Sequence, residues 1–74
     1  MKLPLRSGRE VIKAFSKVGL YPTRQKGSHV LLKGLYKGEL RTFPVPLAKE
    51  LKKGTLQGII KQAGMEVDEF LELL

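Results

Sequence analysis

The sequence predicts an α+β fold in which helices cover one face of a three-stranded antiparallel sheet, in the order α-β-β-β-α-α. Helical periodicity marks segments near both ends of the chain, and glycine-bearing turns divide the middle into three extended stretches. Turns this short join antiparallel hairpins, because parallel strands need a longer crossover. Helices that flank a hairpin sheet indicate a two-layer structure.

The first helix has a clear start, an apolar face and a stop. Ser7-Gly8-Arg9-Glu10 has the spacing of a capping box, in which the Ser7 hydroxyl and the Glu10 carboxylate accept hydrogen bonds from each other's backbone N–H. Gly19 provides the C-terminal stop. The apolar residues at helical spacing between these signals are Val11, Ile12, Phe15 and Val18.

Three strands follow, at Leu20 to Gln25, His29 to Leu35 and Glu39 to Val45, with turns at Lys26-Gly27-Ser28 and Tyr36-Lys37-Gly38. Pro22 confines the first strand to a sheet edge or a bulge, because proline has no N–H for a ladder. Side chains alternate between the faces of a strand. The second strand therefore turns Val30, Leu32 and Gly34 to the helices and His29, Leu31 and Lys33 to an open face.

Two helices are expected after Pro44 and Pro46 end the sheet. The apolar face of the first of them is Leu56, Ile59, Ile60 and Ala63, with Gly54 or Thr55 at its cap. A short last helix, Val67 to Leu74, is expected to cover the edge of the core. Phe15 and Phe70 are predicted core residues, whereas Phe43 could lie on either face of its strand. Residues 1–74 have the length of one domain.

The charge of the chain is strongly positive and unevenly distributed. The formal net charge is +7, and all 14 Lys and Arg residues precede Glu66. Four of the 7 acidic residues lie within the last nine residues of the chain, and they are Glu66, Asp68, Glu69 and Glu72. A field of this strength favours a polyanionic partner, although a solvated surface with an acidic end is the simpler interpretation.

Several function classes are poorly supported by the composition. The chain has no cysteine and one histidine, which exclude a disulfide framework and a zinc site of the CxxC type. It has no phosphate-binding glycine motif, and no cofactor or metal is expected. No apolar run approaches a membrane span, and MKLPLRSGRE lacks a signal-peptide core, so a cytoplasmic protein without a membrane partner is expected.

One constellation can carry chemistry, the segment Arg24-Gln25-Lys26-Gly27-Ser28-His29. Metal-free RNA cleavage requires deprotonation of a 2′-hydroxyl, stabilisation of the phosphorane charge and protonation of the leaving 5′-oxygen. Histidine can make either proton transfer near neutral pH, and cations and turn N–H groups can hold the phosphate. A single histidine leaves the other transfer to water or a lysine. On spacing alone, a structural histidine at a strand start is the more frequent case.

The predicted phosphate contacts are Arg24, Lys26, Lys33 and Arg41, with Gly27 and Ser28 shaping the turn. Tyr21 and Tyr36 are the aromatic residues that could stack on bases.

Several motifs together resemble the HicA toxins, small mRNA interferases of bacteria and archaea. Lys26-Gly27-Ser28-His29-Val30 is similar to the family's strand-start signature. The opening segment from Leu5 to Gly19, a helix followed by Gly-Leu, also resembles the family. The remaining similar segments, in chain order, are Val45-Pro46, Glu50 to Leu56, Ile59 to Gly64 and Glu69-Phe70-Leu71.

The resemblance implies a fold like that of double-stranded-RNA-binding domains, with an extra C-terminal helix. It also implies ribosome-independent cleavage of single-stranded mRNA, with His29 as the catalytic residue. The implied protein partner is a HicB-type antitoxin that covers the active face. The toxin alone is expected to be a monomer or a weak dimer.

The chain departs from the family at one point. Many members carry a second histidine shortly after the Val-Pro pair, where this chain has Leu47-Ala48-Lys49. A mechanism with two imidazoles is therefore excluded. A single-histidine endoribonuclease is the leading hypothesis, and a non-catalytic RNA-binding module of the same fold is the alternative. A DNA-binding repressor ranks last, because no base-reading recognition helix stands out.

Overall fold

The computed structural model describes residues 6–74, so Leu5 of the family resemblance lies outside the described part. The elements are α1 (Gly8–Ser16), β1 (Tyr21–Lys26), β2 (His29–Tyr36), β3 (Glu39–Pro46), α2 (Lys53–Gln62) and α3 (Val67–Leu71). The three strands form one antiparallel sheet in the order β1-β2-β3. The predicted α+β order, with a short C-terminal helix, is confirmed.

The start of α1 is the predicted capping box. The Glu10 N–H donates to the Ser7 hydroxyl at 3.2 Å, and the Ser7 N–H donates to the Glu10 carboxylate at 3.1 Å. These two bonds satisfy backbone donors that the first turn of a helix leaves free, and they hold the pKa of Glu10 below its ordinary value. The helix ends at Ser16, ahead of Gly19, which has a φ of +86°.

Both hairpins have two-residue turns of different types. In the first, Gly27 has a φ of +60° and Ser28 does not have a positive φ, as a type II′ turn requires. In the second, Lys37 and Gly38 have φ values of 53° and 77°, as in a type I′ turn. Both turn types match the natural twist of antiparallel strands, so they fix the register of the sheet.

The two outer strands are interrupted where another strand could pair with them. The register of β1 shifts between Pro22 and Arg24, and the Thr23 hydroxyl donates to the Leu31 carbonyl at 3.2 Å. The predicted confinement of Pro22 to an edge or a bulge is thus confirmed. On the other edge, β3 contains Pro44 and Pro46, which have no N–H to offer a further strand.

The core lies between the helices and one face of the sheet. Phe15 is at its centre, with its ring 5.0 Å from that of Phe43 and 5.2 Å from that of Phe70. These separations are typical of favourable aromatic pairs. Phe43 therefore belongs to the helix-facing side of β3. The buried apolar residues are Val11, Ala14, Phe15, Leu20, Val30, Leu32, Phe43, Val45, Leu51, Leu56, Ile59, Ile60, Ala63, Met65 and Phe70.

Gly34 marks a close approach of two backbones within this layer. A methyl group built on Gly34 would overlap the carbonyl oxygen of Gly19. The turn after α1 therefore rests directly on β2, which only glycine allows at this position.

The last two helices differ from prediction at their ends. α2 begins at Lys53, with Lys52 as its N-cap, rather than at Gly54 or Thr55, because the Leu56 N–H already bonds the Lys52 carbonyl at 2.9 Å. α3 ends at Leu71 rather than Leu74, because the N–H groups of the last two residues bond carbonyls three positions back, as in tight turns. Phe70 is fully buried, as expected of a helix that covers the core.

Candidate nucleic-acid interface

The sheet face opposite the helices is uncovered, and cross-strand pairing defines which residues it presents. This open face consists of four rows that follow from the register. They are Lys26 with His29 and Pro46, Arg24 with Leu31 and Pro44, Tyr21 with Lys33 and Thr42, and Leu35 with Leu40. The predicted orientation of His29, Leu31 and Lys33 is confirmed, since the alternate residues Val30 and Leu32 are buried.

A pocket at one end of the open face brings together three of the seven predicted site residues. It has a volume of about 280 Å³ and is lined by Arg24, Lys26, His29, Leu31 and Pro44. This volume is just below the usual range of small-molecule sites, about 300–1,000 Å³. Two cations and an imidazole thus surround an apolar floor. Leu31 and Pro44 were not among the predicted site residues, although strand alternation from His29 would have placed Leu31 there.

The two carbonyl groups of the turn that precedes His29 each accept a hydrogen bond. The Leu47 N–H donates to the Ser28 carbonyl at 2.7 Å, and the Gln25 side-chain amide donates to the Gly27 carbonyl at 3.1 Å. Ser28 itself is exposed and directly precedes His29. The Leu47 bond also brings the chain segment after Val45-Pro46 next to the His29 turn. This segment is Leu47-Ala48-Lys49, and it adjoins the turn rather than lining the pocket.

His29 is exposed and available to a ligand. Within residues 6–74, its imidazole takes part in none of the side-chain hydrogen bonds or ion pairs. Its cross-strand neighbour is Lys26, and Arg24 is two residues further along the same edge strand. An imidazole that has no hydrogen-bond partner can act as a general acid or base towards a bound ligand. The two cations beside it can stabilise negative charge that develops on that ligand.

Lys33 and Arg41 are placed differently from each other. Lys33 is on the open face, four residues from His29 along β2, or about 13 Å. Arg41 pairs with Gly34 and lies on the helix-facing side of β3. There it lies 3.3 Å from the Glu39 carboxylate and donates to the Tyr36 carbonyl at 3.4 Å. The structure therefore does not bring Arg41 to the His29 pocket.

The two tyrosines also lie on opposite faces. Tyr21 is exposed on the open face beside Lys33. Tyr36 is half-buried on the helix side, where its hydroxyl donates to the Glu69 carboxylate at 3.0 Å. Burial raises the pKa of the Tyr36 hydroxyl, and the bond to Glu69 adds to the effect. Only Tyr21 of the two predicted stacking residues is thus free to meet a base on the open face.

Charge on the open face is of one sign. Arg24, Lys26 and Lys33 lie on it, and none of its paired rows contains a carboxylate. Acidic side chains are elsewhere, and Glu69 is paired with Lys37 at 2.7 Å. The open face therefore presents a positive field that its own acids do not neutralise locally.

Within residues 6–74, no group of three or more His, Cys, Asp or Glu side chains stands close enough to hold a metal ion. No described helix has the length and apolar character needed to cross a membrane.

Comparison with known families identifies the chain. The family model described as "HicA toxin of bacterial toxin-antitoxin" matches residues 8–65, which is most of the sequence. Neither a search of curated proteins nor a search of solved structures gave a match. The matched region extends from α1 to the end of α2 and its following turn, and it includes the complete sheet and the His29 pocket. The chain therefore belongs to the HicA toxin family of bacterial toxin–antitoxin systems.

Proposed function

We propose that this protein is a metal-independent endoribonuclease that cleaves single-stranded mRNA, with His29 as the catalytic residue. The observation that carries the proposal is the His29 pocket. There an exposed imidazole, which has no hydrogen-bond or ion-pair partner among residues 6–74, stands beside Lys26 and Arg24. The proposal also draws on membership of a toxin family.

The reaction is an internal transfer at phosphorus. The 2′-oxygen of one nucleotide attacks the adjacent phosphorus, forming the O2′–P bond while the P–O5′ bond breaks. The 2′-hydroxyl gives up one proton and the leaving 5′-oxygen takes one, so the products carry a 2′,3′-cyclic phosphate and a 5′-hydroxyl. His29 makes one of these transfers, and water or a lysine makes the other, because the chain has 1 histidine.

The residues around His29 have distinct roles in this proposal. Lys26 and Arg24 hold the phosphate and stabilise its developing charge, and the Ser28 hydroxyl donates a hydrogen bond to it. Gly27 sets the type II′ turn that places Ser28 and His29 at the pocket. Lys33 contacts a phosphate further along the strand. These roles require no cofactor.

The test incubates the purified protein with a labelled single-stranded RNA in EDTA and maps the product ends. Wild type should yield cyclic phosphates, and His29→Ala should lose about 10²- to 10⁴-fold in rate. His29→Ala, purified identically, also controls for contaminating nucleases. Lys61→Ala, a change of an exposed residue on α2, should cleave like wild type. Undiminished cleavage by His29→Ala would refute the catalytic role.

A non-catalytic RNA-binding module is the second candidate. It is favoured by Leu47-Ala48-Lys49, the segment bonded to the His29 turn, because this segment lacks the second histidine that many HicA toxins carry there. In that case wild type and His29→Ala would bind RNA equally, in a salt-dependent manner, without cleavage.

The proposed protein partner is a HicB-type antitoxin that covers the open face. Expression of this protein alone should arrest growth, and co-expression of the antitoxin encoded beside it should relieve the arrest. Relief without physical association would argue against direct covering of this face.

A further inference from the structure

Beyond the His29 pocket, the open face continues into an apolar end formed by Tyr21, Leu35 and Leu40. These residues are 57%, 69% and 61% exposed, and they are three of the four large apolar residues that the described chain leaves exposed. Leu35 and Leu40 are directly paired across β2 and β3, and Tyr21 belongs to the adjacent row. Exposed apolar side chains that cluster in this way mark a binding surface.

We propose that this apolar end binds an unpaired base of the RNA, with Tyr21 as the stacking side chain, and thereby selects single-stranded over duplex RNA. The inference rests on the proposed function, since it takes RNA as the ligand of the open face. It assigns a positioning residue and a basis for specificity that lie outside the His29 pocket.

The surrounding charges favour RNA as the occupant. Lys33 lies directly opposite Tyr21, and Arg24 follows on the same strand after the bulge. The paired rows of the open face contain three cations and no carboxylate, which favours an anionic ligand. Single-stranded RNA combines a phosphate chain with accessible apolar base faces, which complements a row of cations beside an aromatic ring.

The same arrangement discriminates against duplex RNA. In a helix the base faces are stacked on one another and cannot reach an aromatic side chain. A duplex could contact Lys33 and Arg24 through its phosphates, but no base would cover Tyr21 and the Leu35–Leu40 pair. Stacking tolerates any base, because each has a π-face. Selectivity therefore concerns pairing more than base identity.

The separation of the two sites defines what Tyr21 contributes. Tyr21 is level with Lys33, four residues along β2 from His29, or about 13 Å. The stacked base therefore belongs to a neighbouring nucleotide rather than to the one whose 2′-oxygen attacks. Tyr21 positions the strand, so its removal should raise KM and leave kcat much less affected.

The test measures binding of a short 2′-O-methyl RNA, which lacks the attacking hydroxyl, with 2-aminopurine substituted at successive positions. Stacking on Tyr21 should quench the probe at one position. Tyr21→Ala should abolish this quenching and weaken binding of the single strand by about 10- to 100-fold. Binding of the same oligonucleotide in a duplex should not change. Tyr21→Phe should retain binding, and Tyr36→Phe, on the other face, serves as the control.

Two results would overturn the inference while the proposed function stands. If wild type cleaves RNA and Tyr21→Ala binds the single strand as tightly, the apolar end is not a base platform. If Tyr21→Ala keeps its affinity for RNA but escapes neutralisation by the co-expressed antitoxin, the apolar end is a protein interface instead. Failure of wild type to bind or cleave any RNA would refute the proposed function itself. Circular dichroism of each variant shows that the fold is retained.

Discussion

The ammonium of Lys37 lies 2.7 Å from the carboxylate of Glu69 and ties the second hairpin turn to the last helix. The Glu66 N–H and the Tyr36 hydroxyl donate to the same carboxylate, at 2.9 Å and 3.0 Å. These three donors, led by Lys37, lower the pKa of Glu69 from 4.5 to about 2. The acidic C-terminal segment is therefore held against the sheet by specific contacts as well as by the burial of Phe70.

Glu69 should make the stability of the protein depend on pH in acid. Because its pKa is lower in the folded state, its contribution is present above about pH 4.5 and is lost as the pH falls towards 2. Glu69→Gln should therefore be less stable than wild type in urea at pH 7. This difference should shrink below pH 4.5 and vanish near pH 2. Glu72→Gln, an exposed change of the same charge, is the control, and an equal effect of both variants would contradict the prediction.

Two substitutions of glycine by alanine should have opposite effects on stability. Gly34→Ala should destabilise the fold by about 1–3 kcal/mol, because the added methyl overlaps the Gly19 carbonyl and the backbones must separate. Gly58→Ala should stabilise it by about 1 kcal/mol, because Gly58 lies inside α2 and an added methyl meets open space. Urea unfolding measures both. A stable Gly34→Ala variant would show that the two backbones can part without cost.

The two-residue turn beside His29 should matter for RNA cleavage as well as for folding. Gly27→Ala and Gly38→Ala each force a positive φ on alanine, so each should cost about 1–2 kcal/mol of stability. Only Gly27→Ala disturbs the position of His29. At a temperature where both variants are fully folded, Gly27→Ala alone should have reduced ribonuclease activity. Equal activity of the two would mean that the turn does not position the imidazole.

The salt dependence of RNA binding should distinguish Lys26 from Arg41. If Lys26 contacts a phosphate, Lys26→Gln should reduce the slope of log affinity against log salt by about 0.7 for a single strand. Arg41→Gln should leave that slope unchanged, because Arg41 lies on the helix side with Glu39. Lys61→Gln controls for the change in net charge. A reduced slope for Arg41→Gln would show that RNA also reaches the helix side of β3.

The different placement of Arg41 shows where inference from sequence stops. The two faces of β2 could be predicted because side chains alternate along a strand and the polar residues His29 and Lys33 share one parity, and the observed burial follows this alternation. Arg41 belongs to β3, whose faces depend on where the preceding turn begins. The predicted turn included Tyr36, whereas the structure pairs Tyr36 with Glu39 around a two-residue turn. A shift of one residue exchanges every side chain between the faces of a strand, so turn length decides the position of Arg41.

The candidate pocket shows the same division between local and tertiary information. The capping box and the turn before His29 are local patterns, and both are readable from residue spacing. Pro44 joins the pocket only because β3 pairs with β2 in a particular register. The start of α2 at Lys53 was missed because its N-cap, Lys52, makes no side-chain cap bond that a sequence pattern would reveal.

The strand order β1-β2-β3, in which each strand pairs with its neighbour in the chain, bears on the order in which the protein folds. Each strand pairs with its neighbour in the chain across a two-residue turn, so the sheet can form from local contacts, on a timescale of microseconds for each hairpin. The start of α1, in contrast, makes contacts over a long sequence separation. The Gly8 N–H bonds the Ala48 carbonyl, and the Leu51 N–H bonds the Arg6 carbonyl. Docking of α1 onto the finished sheet, with burial of Phe15, is therefore the expected rate-limiting step. Phe15→Leu should therefore slow refolding in a stopped-flow experiment, and an unchanged refolding rate would contradict this order.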